Sequence, residues 1–426
     1  MKRLMLALVL ASGCRPGIEL QTTVSEHIST VITVEWTTPE PTDAHVEFGH
    51  TKELGRRSKT TSGTEHKAIL IGLSPEQVVY LQVVTDTDTS PLTTVTTGAL
   101  SADLPQLTLT GDPDALPGYL VVPLMGTTGL VVIINRYGDI VWHTPLAPRD
   151  LSYRAWLDRS EEIIAFNRFD ISGQNAIIRQ PLDGSEAEVL DFQPHNHDFL
   201  VLPDGDLAVI GRVEQSVDGE MVPGDGIYRV DRSGESTLLW SAWDDFTYAG
   251  LSDDLGGWTH ANALDYYPDE DAFYLSLRSF DAIIKLEAST GALDWVLSGD
   301  PTISDFTYAE GATPTSHQHQ FERLAPDRIL SFDNRYDLQE PARVVEFALD
   351  LEERVAEEVW TYQHEPALSV YALGDVDRRE DGSTLVDWST SGVIQYLSPE
   401  GEELWRLNTE LGYAFGYVSL LRSLDE

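Results

Sequence analysis

Two stretches of this chain carry paired histidines, "HNHDFLVLPDGD" at 195–206 and "SHQHQFERL" at 316–324. A third histidine sits between them in "GGWTHANALDYYP" at 256–268. Alternate residues of an extended chain face the same side. If these stretches are extended, His195 points with His197 and His317 with His319, and His260 opens its own segment in the same way. Arg278 lies in the otherwise apolar run "AFYLSLRSF". A guanidinium there needs a carboxylate, for which Asp281 and Asp271 are candidates, or an anionic ligand. Imidazoles drawn from separate strands suit two chemistries. As neutral ligands they could bind Zn, Fe or Cu. Alternatively, one could attack an oxyanion group while the others and Arg278 neutralise its charge. Arg278 favours the second, because a guanidinium is a fork-shaped partner for sulfate or phosphate and gains nothing beside a metal cation. Asp198 is the nearest carboxylate and could ligate a metal or orient a histidine tautomer. No metal set is assigned and no cofactor is called for.

The elements that would hold these side chains are strands. From Tyr119 onward a phrase recurs, a turn glycine followed within a few residues by tryptophan: "GDIVW" (138–142), "GESTLLW" (234–240), "GALDW" (291–295) and "GEELW" (401–405), with "EEVW" (357–360) as a weaker copy. Ahead of several copies comes an apolar strand, a Pro/Asp/Gly turn and a second strand, as in "FLVLPDGDLAVI" and "FERLAPDRILSF". A period of about 40–60 residues built of short strands predicts four-stranded antiparallel units arranged as a propeller. Units at 119–147, 151–192, 197–243, 260–299, 319–363 and 372–408 give six blades. The tail 412–424 reads as a further strand that completes the short first unit. The first strand of each blade lines the central channel, so His197, His260 and His319 are brought from three consecutive units to one axis. Only "SPEQ" and "EERVAEE" read as helical.

Residues 18–99 form a separate unit rich in Thr and Val, whose alternating runs "VITVEW", "AHVEFG", "KAILIGL" and "VVYLQVVTDT" predict a small β-sandwich resembling a fibronectin-III module. Leu73, Pro75 and Tyr80 approach the Leu-x-Pro…Tyr pattern that carries a buried tyrosine in such modules, with one residue too many before the tyrosine. His45, His50 and His66 in this unit are expected on the surface or in loops. Residues 100–118 are expected to be a linker, and 119–426 the propeller. The fold class expected for the whole chain is all-β, a six-bladed β-propeller preceded by this sandwich.

The 426-residue chain carries 70 Asp and Glu against 28 Lys and Arg, a net charge of −42. That balance argues against nucleic acid and against electrostatic adhesion to anionic lipid. It also means that an anion site must concentrate its few cations locally. The N-terminus reads as a signal peptide over 1–14: basic Lys2 and Arg3, a short apolar run at 4–11, then "ASGC". Small residues before Cys14 match a bacterial lipobox, so Cys14 is expected to be lipidated, and the chain exported to the cell envelope and held at the periplasmic side or outer membrane by that anchor alone. Cys14 is the one cysteine, so the mature chain holds no internal disulfide. No later stretch reaches about 18 consecutive apolar residues, so no transmembrane helix is expected.

The segments "HNHDFLVLPDGD", "WTHANALDYYPDEDAFYLSLRSFDAIIKLEASTGALDWVLSG" and "HQHQFERLAPDRILSFDNR" resemble the bacterial arylsulfate sulfotransferase family. The resemblance implies transfer of a sulfuryl group from a phenolic sulfate to a phenol, without a nucleotide carrier, through a sulfated histidine. It implies His319 as nucleophile, with His197, His260 and Arg278 stabilising the transferring group and Asn262 beside the substrate. His195 and His317 are additional and would support substrate binding. Arg335, in "FDNR", reads as a loop residue. Gln320 stands where the resemblance leads one to expect Asp or a small residue, and the cysteine pair frequent in such proteins is missing. Phenolic sulfates and phenols are the implied partners, and a homodimer is compatible with the sequence. A metalloenzyme, or a propeller that only binds or scaffolds, remains the alternative.

Overall fold

Alternating β-branched runs separated by Gly, Asp and Pro leave little room for helix, and the computed structural model bears this out. It describes residues 18–170, 173–192, 194–248, 250 and 257–425. Cys14 and the apolar leader lie outside the described residues. The α-helix found is one turn, Ala242–Asp245. No described helix is long and apolar enough to cross a membrane. The described residues fall into two units, one ending at Ala99 and including Asp425, the other Leu100–Leu424.

In the first unit a long strand, Ile32–Gly49, changes partners midway. Residues 32–37 pair with Leu20–Val24 on one side and Thr61–Leu70 on the other. Residues 44–49 pair with Val78–Thr85, and Glu47 and Phe48 with the short strand Arg56–Arg57. Val78–Thr85 in turn pairs with Thr93–Thr96. Val34, Trp36, Val46, Phe48, Leu70, Leu73 and Leu81 fill the core between. Two expectations need correction. His66 is buried and stacks on Trp36, with ring centroids 5.0 Å apart, because its position in Thr61–Leu70 faces inward. Tyr80 is half-exposed, and Val79 and Leu81 take the inward positions. The extra residue before Tyr80 shifts the strand by one, and a one-residue shift exchanges its faces.

The described residues of the second unit form six sheets. Each is a meander in which sequence neighbours pair antiparallel. The second runs Ala155–Asp158, Ile163–Arg168, Ala176–Pro181, Glu188–Asp191. The third runs His195–Val201, Leu207–Val217, Glu220–Val230, Ser236–Ser241. The fourth runs Ala261–Tyr267, Ala272–Leu277, Ala282–Glu287, Leu293–Ser298. The fifth is built on Phe321–Ala325, Arg328–Asp333, Arg343–Asp350 and Val355–Tyr362, the last of which also pairs parallel with Thr307–Tyr308. "EERVAEE" is a turn leading into Val355–Tyr362, because Val355 and Ala356 enter the ladder with Asp350 and Leu349.

The first and sixth sheets borrow strands from distant sequence. Tyr119–Met125, Leu130–Asn135 and Ile140–Pro145 are joined on the inner side by Ala414–Phe415 and Ser419–Leu421. The sixth sheet, Asp375–Arg378, Thr384–Asp387, Val393–Leu397 and Glu403–Thr409, gains Leu107–Gly111 as its outer strand. The stretch expected to be a linker is therefore partly sheet. "LTLTG" alternates as a strand does, but its partner lies about 300 residues away in sequence, beyond any local signal.

The recurring Gly–Trp phrase opens the last of the consecutive strands of the first, third, fourth and sixth sheets, and in the sixth Leu107–Gly111 pairs outside it. Two of these tryptophans reach a turn of the neighbouring sheet. Trp142 Nε1 donates to Leu182 O of the second sheet, and Trp405 Nε1 to Arg136 O of the first. Gly291, at φ 72°, lies where an added Cβ would come within 2.4 Å of Leu239 O in the third sheet. Apolar cores fill the gaps between neighbours. Leu200, Ile210, Leu264 and Leu275 join the third and fourth sheets, and Leu124, Ile134, Leu385 and Trp405 join the sixth and first.

Candidate active site

The paired histidines sit where the innermost strands begin, but strand alternation is not what aims them. His197 has φ 37°, His260 48° and His317 52°, all left-handed. The ladder slips between His195 and Phe199 and again between Ala261 and Ala263. His317 and His319 precede the strand Phe321–Ala325 altogether. The chain therefore kinks at one histidine of each segment instead of running extended through the pair. Left-handed backbone at a residue with a Cβ is costly and concentrates at functional sites.

The kinks bring His195, His197, His260, His317 and His319 to the wall of one cavity of about 1530 Å³, together with Arg278. Arg278 is not on a strand as expected; it opens the turn after Ala272–Leu277, its N–H donating to His260 O at 3.0 Å. His260 Nε2 lies 3.2 Å from His197 Nε2. His197 Nδ1 is 2.7 Å from Asn196 Oδ1. His319 Nδ1 is 2.8 Å from Asn334 Oδ1. His317 Nδ1 lies 2.8 Å from an Asp337 carboxylate oxygen, off the line of a good hydrogen bond. His195 stacks on Phe169, with centroids 5.0 Å apart.

Asn262 is not on the cavity wall. It is fully buried, and its Nδ2 donates to Gln318 O, so it ties the fourth sheet to the segment carrying His319. The slip at Ala261/Ala263 turns it away from the cavity. Asp198 does not orient a histidine either. Its oxygens accept from Arg154 at 3.0 and 3.3 Å, from Gln320 Nε2 at 2.7 Å, and from the backbone N–H groups of Phe199 and Leu264. Arg154 is sandwiched between Trp156 and Tyr417 and lies 3.6 Å from Asp375. Gln320 thus belongs to this buried knot of side chains. Arg335 pairs with Glu340 outside the cavity.

Burial sets the protonation of the cluster. It pushes His319 down to about 3 and His260 and His195 to about 4. His197 goes well below the ordinary imidazole range, first through burial and then through His260, His319, His195 and Arg212. His317 is lowered by burial and by Arg278. Arg278 is itself lowered by burial and supported by Asp337 and Asp281. The histidines are consequently neutral near pH 7, as a nitrogen nucleophile must be. Among the described residues no group of His, Asp and Glu has metal-binding geometry.

Residues 119–408 match the model of the family "Arylsulfotransferase (ASST)", more than half of the chain. The chain belongs to the arylsulfotransferase family. Membership implies aryl sulfotransfer and phenolic substrates. No curated relative matches this chain. Among solved structures it resembles a protein of unknown function from Bacteroides caccae at 14% identity, covering 71% of this chain and 98% of that one, TM-score 0.46. It also resembles TolB from Acinetobacter baumannii at 16% identity, covering 82% and 81%, TM-score 0.41. A third likeness is a catalytically inactive virginiamycin B lyase from Staphylococcus aureus, solved with quinupristin, at 11% identity, covering 74% and 99%, TM-score 0.41. At such scores these likenesses carry no weight for the chemistry of this chain.

Sequence reasoning missed several residues of the site. Asn196 and Asn334 hold the two histidines described above. Arg212 lines the cavity from the long strand Leu207–Val217, near enough to His197 and His260 to disfavour their protonation. Tyr153, 5.7 Å from the His197 ring, and the exposed pair Tyr336 and Tyr371 add aromatic wall. Asn196 lay between two histidines in "HNH" and Asn334 in "FDNR", yet neither spacing distinguishes a clamp from a turn residue.

Proposed function

We propose that this chain carries a sulfuryl group from a phenolic sulfate to a phenol through a covalent intermediate on His319. The observation that supports this best is a buried, neutral imidazole on the same cavity wall as Arg278, His260 and His197. A ring nitrogen of His319 attacks sulfur in line, the N–S bond forms, the S–O bond to the aryl group breaks, and the electron pair leaves on the phenolate oxygen. Arg278 faces the sulfuryl oxygens, where charge builds in the transition state. Water or solvent protons neutralise the phenolate. The acceptor phenol then attacks the same sulfur, returns the nitrogen lone pair to His319 and loses its proton to water. Positioning and charge stabilisation supply most of the rate, as in phosphoryl transfer.

In this reading the six sheets are blades of one closed propeller, supported by the cores that fill successive gaps and by the strands exchanged between its ends. The partner switch of Ile32–Gly49 supports a fibronectin-III-like sandwich in the first unit. The basic, then apolar, then small-residue leader supports export and anchoring through a lipidated Cys14.

The test is release of nitrophenol from 4-nitrophenyl sulfate. We expect release to depend on an added phenol, to survive chelator, and to yield the sulfated acceptor. Because folding lowers the histidines from about 6.5, they stay neutral as pH falls through that value. The acid limb of kcat/KM in the free enzyme should therefore appear near pH 3 to 4, the range to which burial pushes His319 and His260. Loss of activity to chelator would point to a metal site. A limb at pH 6.5 would show that the nucleophile is a solvated imidazole, contrary to this reading.

A further inference from the structure

We infer that Asn334 is a positioning residue that fixes the proton of His319 on Nδ1 and so presents Nε2 as the atom that takes the sulfuryl group; this rests on His319 being the nucleophile. Asn334 is buried, 1% exposed, just after the strand Arg328–Asp333. Its Nδ2 donates to Val370 O at 3.1 Å and to Leu373 O at 2.8 Å. An amide nitrogen has two hydrogens, and both are used. Rotating the amide by half a turn would set its oxygen against two carbonyl oxygens and leave them without a donor, a buried loss. The oxygen of Asn334 therefore faces His319, and an amide oxygen only accepts. The hydrogen in the 2.8 Å contact belongs to His319 Nδ1. A neutral imidazole carries one N–H, so the lone pair is on Nε2.

The same construction recurs at His197. Asn196 Nδ2 donates to Asp225 Oδ1, and Asn196 Oδ1 accepts from the His197 backbone N–H as well as from its ring. His197 therefore also carries its proton on Nδ1 and has its lone pair on Nε2. His260 Nε2, 3.2 Å away, must be the donor between them. The backbone of His319 is held in step, its N–H donating to Phe332 O at 3.1 Å while Phe332 N–H donates to Gln320 O at 2.8 Å. Leu373 and Val370 precede the sixth sheet, so the proton on a histidine just ahead of the fifth sheet is dictated by a neighbouring segment. When Nε2 bonds to sulfur and the aryl oxygen leaves with its electron pair, Nδ1 keeps its proton and the ring becomes cationic. Its hydrogen bond to Asn334 then becomes charge-assisted and stronger.

The experiment is long-range 1H–15N correlation NMR of the histidine rings in the full chain, with His319 assigned from His319→Ala, beside kinetics of Asn334→Ala and Asn334→Asp. In the wild type His319 should show a protonated Nδ1 and an unprotonated Nε2. Asn334→Ala should give a tautomer mixture and a kcat lower by about 10–100-fold, with KM for 4-nitrophenyl sulfate little changed. Asn334→Asp should place a carboxylate on Nδ1–H, raise the His319 pKa and move the acid limb of kcat/KM to higher pH. If Asn334→Ala fails to fold, the wild-type tautomer and the Asn334→Asp profile still decide. A proton on Nε2 in the wild type overturns the assignment, and so does Asn334→Ala with an unchanged tautomer and kcat. If Nδ1 is protonated but the wild type never turns over a sulfate ester, the proposed function fails while the proton assignment stands.

Discussion

His319→Ala should lower kcat for 4-nitrophenyl sulfate by about 10⁴–10⁶-fold, the loss seen when a covalent nucleophile is removed and binding alone is left. KM should change far less, because Arg278 and the other imidazoles still line the cavity. The split is informative. A histidine that only bound the sulfate would raise KM and leave kcat nearly alone. The substitution leaves Asn334 Oδ1 without its partner, at a cost of about 1–3 kcal/mol. That is small enough for the variant to fold, and a melting curve beside the kinetics would separate lost chemistry from lost structure. Residual activity within tenfold of wild type would remove His319 from the role assigned to it.

Asp198→Ala should have the largest effect on stability. Asp198 is fully buried and accepts from five donors in, or one residue ahead of, four sheets: Arg154 twice, the Phe199 and Leu264 N–H groups, and Gln320. Removing it leaves Arg154 buried against aromatic rings with Asp375, at 3.6 Å, as its remaining ion-pair partner among the described residues. Burial pushes Asp375 up to about 7, despite Arg154, so that carboxylate replaces Asp198 poorly. Breaking a buried pair by deleting one partner costs about 3–5 kcal/mol. Urea unfolding should show a lower midpoint with an unchanged slope. Asp198→Asn, which keeps the shape and part of the bonding, should lose less. A cost under about 1 kcal/mol would mean that the cluster is solvated or rearranges freely.

These two residues also show what could be read from sequence. Segments carrying five histidines could be assigned to one site because each stood at the head of a strand repeat, and repeats bring equivalent positions together; Arg278 joined them as a cation in the apolar run that follows His260. The mechanism of that convergence was not legible. Alternation put His195 and His197 on one face, whereas a left-handed kink at His197 reorients the chain, and φ leaves no mark in a sequence unless the residue is glycine. Asn262 was misplaced for a related reason, since a ladder slip between Ala261 and Ala263 sends its side chain to Gln318 O. Asp198 was visible as a carboxylate beside a histidine, but its partner Arg154 is 44 positions earlier in the chain, and only folding joins them. The strands Leu107–Gly111 and Ala414–Phe415 differ in the same way. The tail could be guessed because the first sheet was short, whereas nothing marked the sixth sheet as lacking an outer strand.

The central claim is a covalent sulfuryl group on His319, and the most direct measurement is mass analysis of the enzyme mixed with 4-nitrophenyl sulfate in the absence of any phenol acceptor. The mixture should be quenched under alkaline conditions, which spare an N–S bond, and digested. We predict one added SO₃ on the peptide containing His319, absent in His319→Ala and discharged when phenol is added before the quench. Acceptor-dependent turnover with no added mass at any time, or the mass on a different residue, would contradict it.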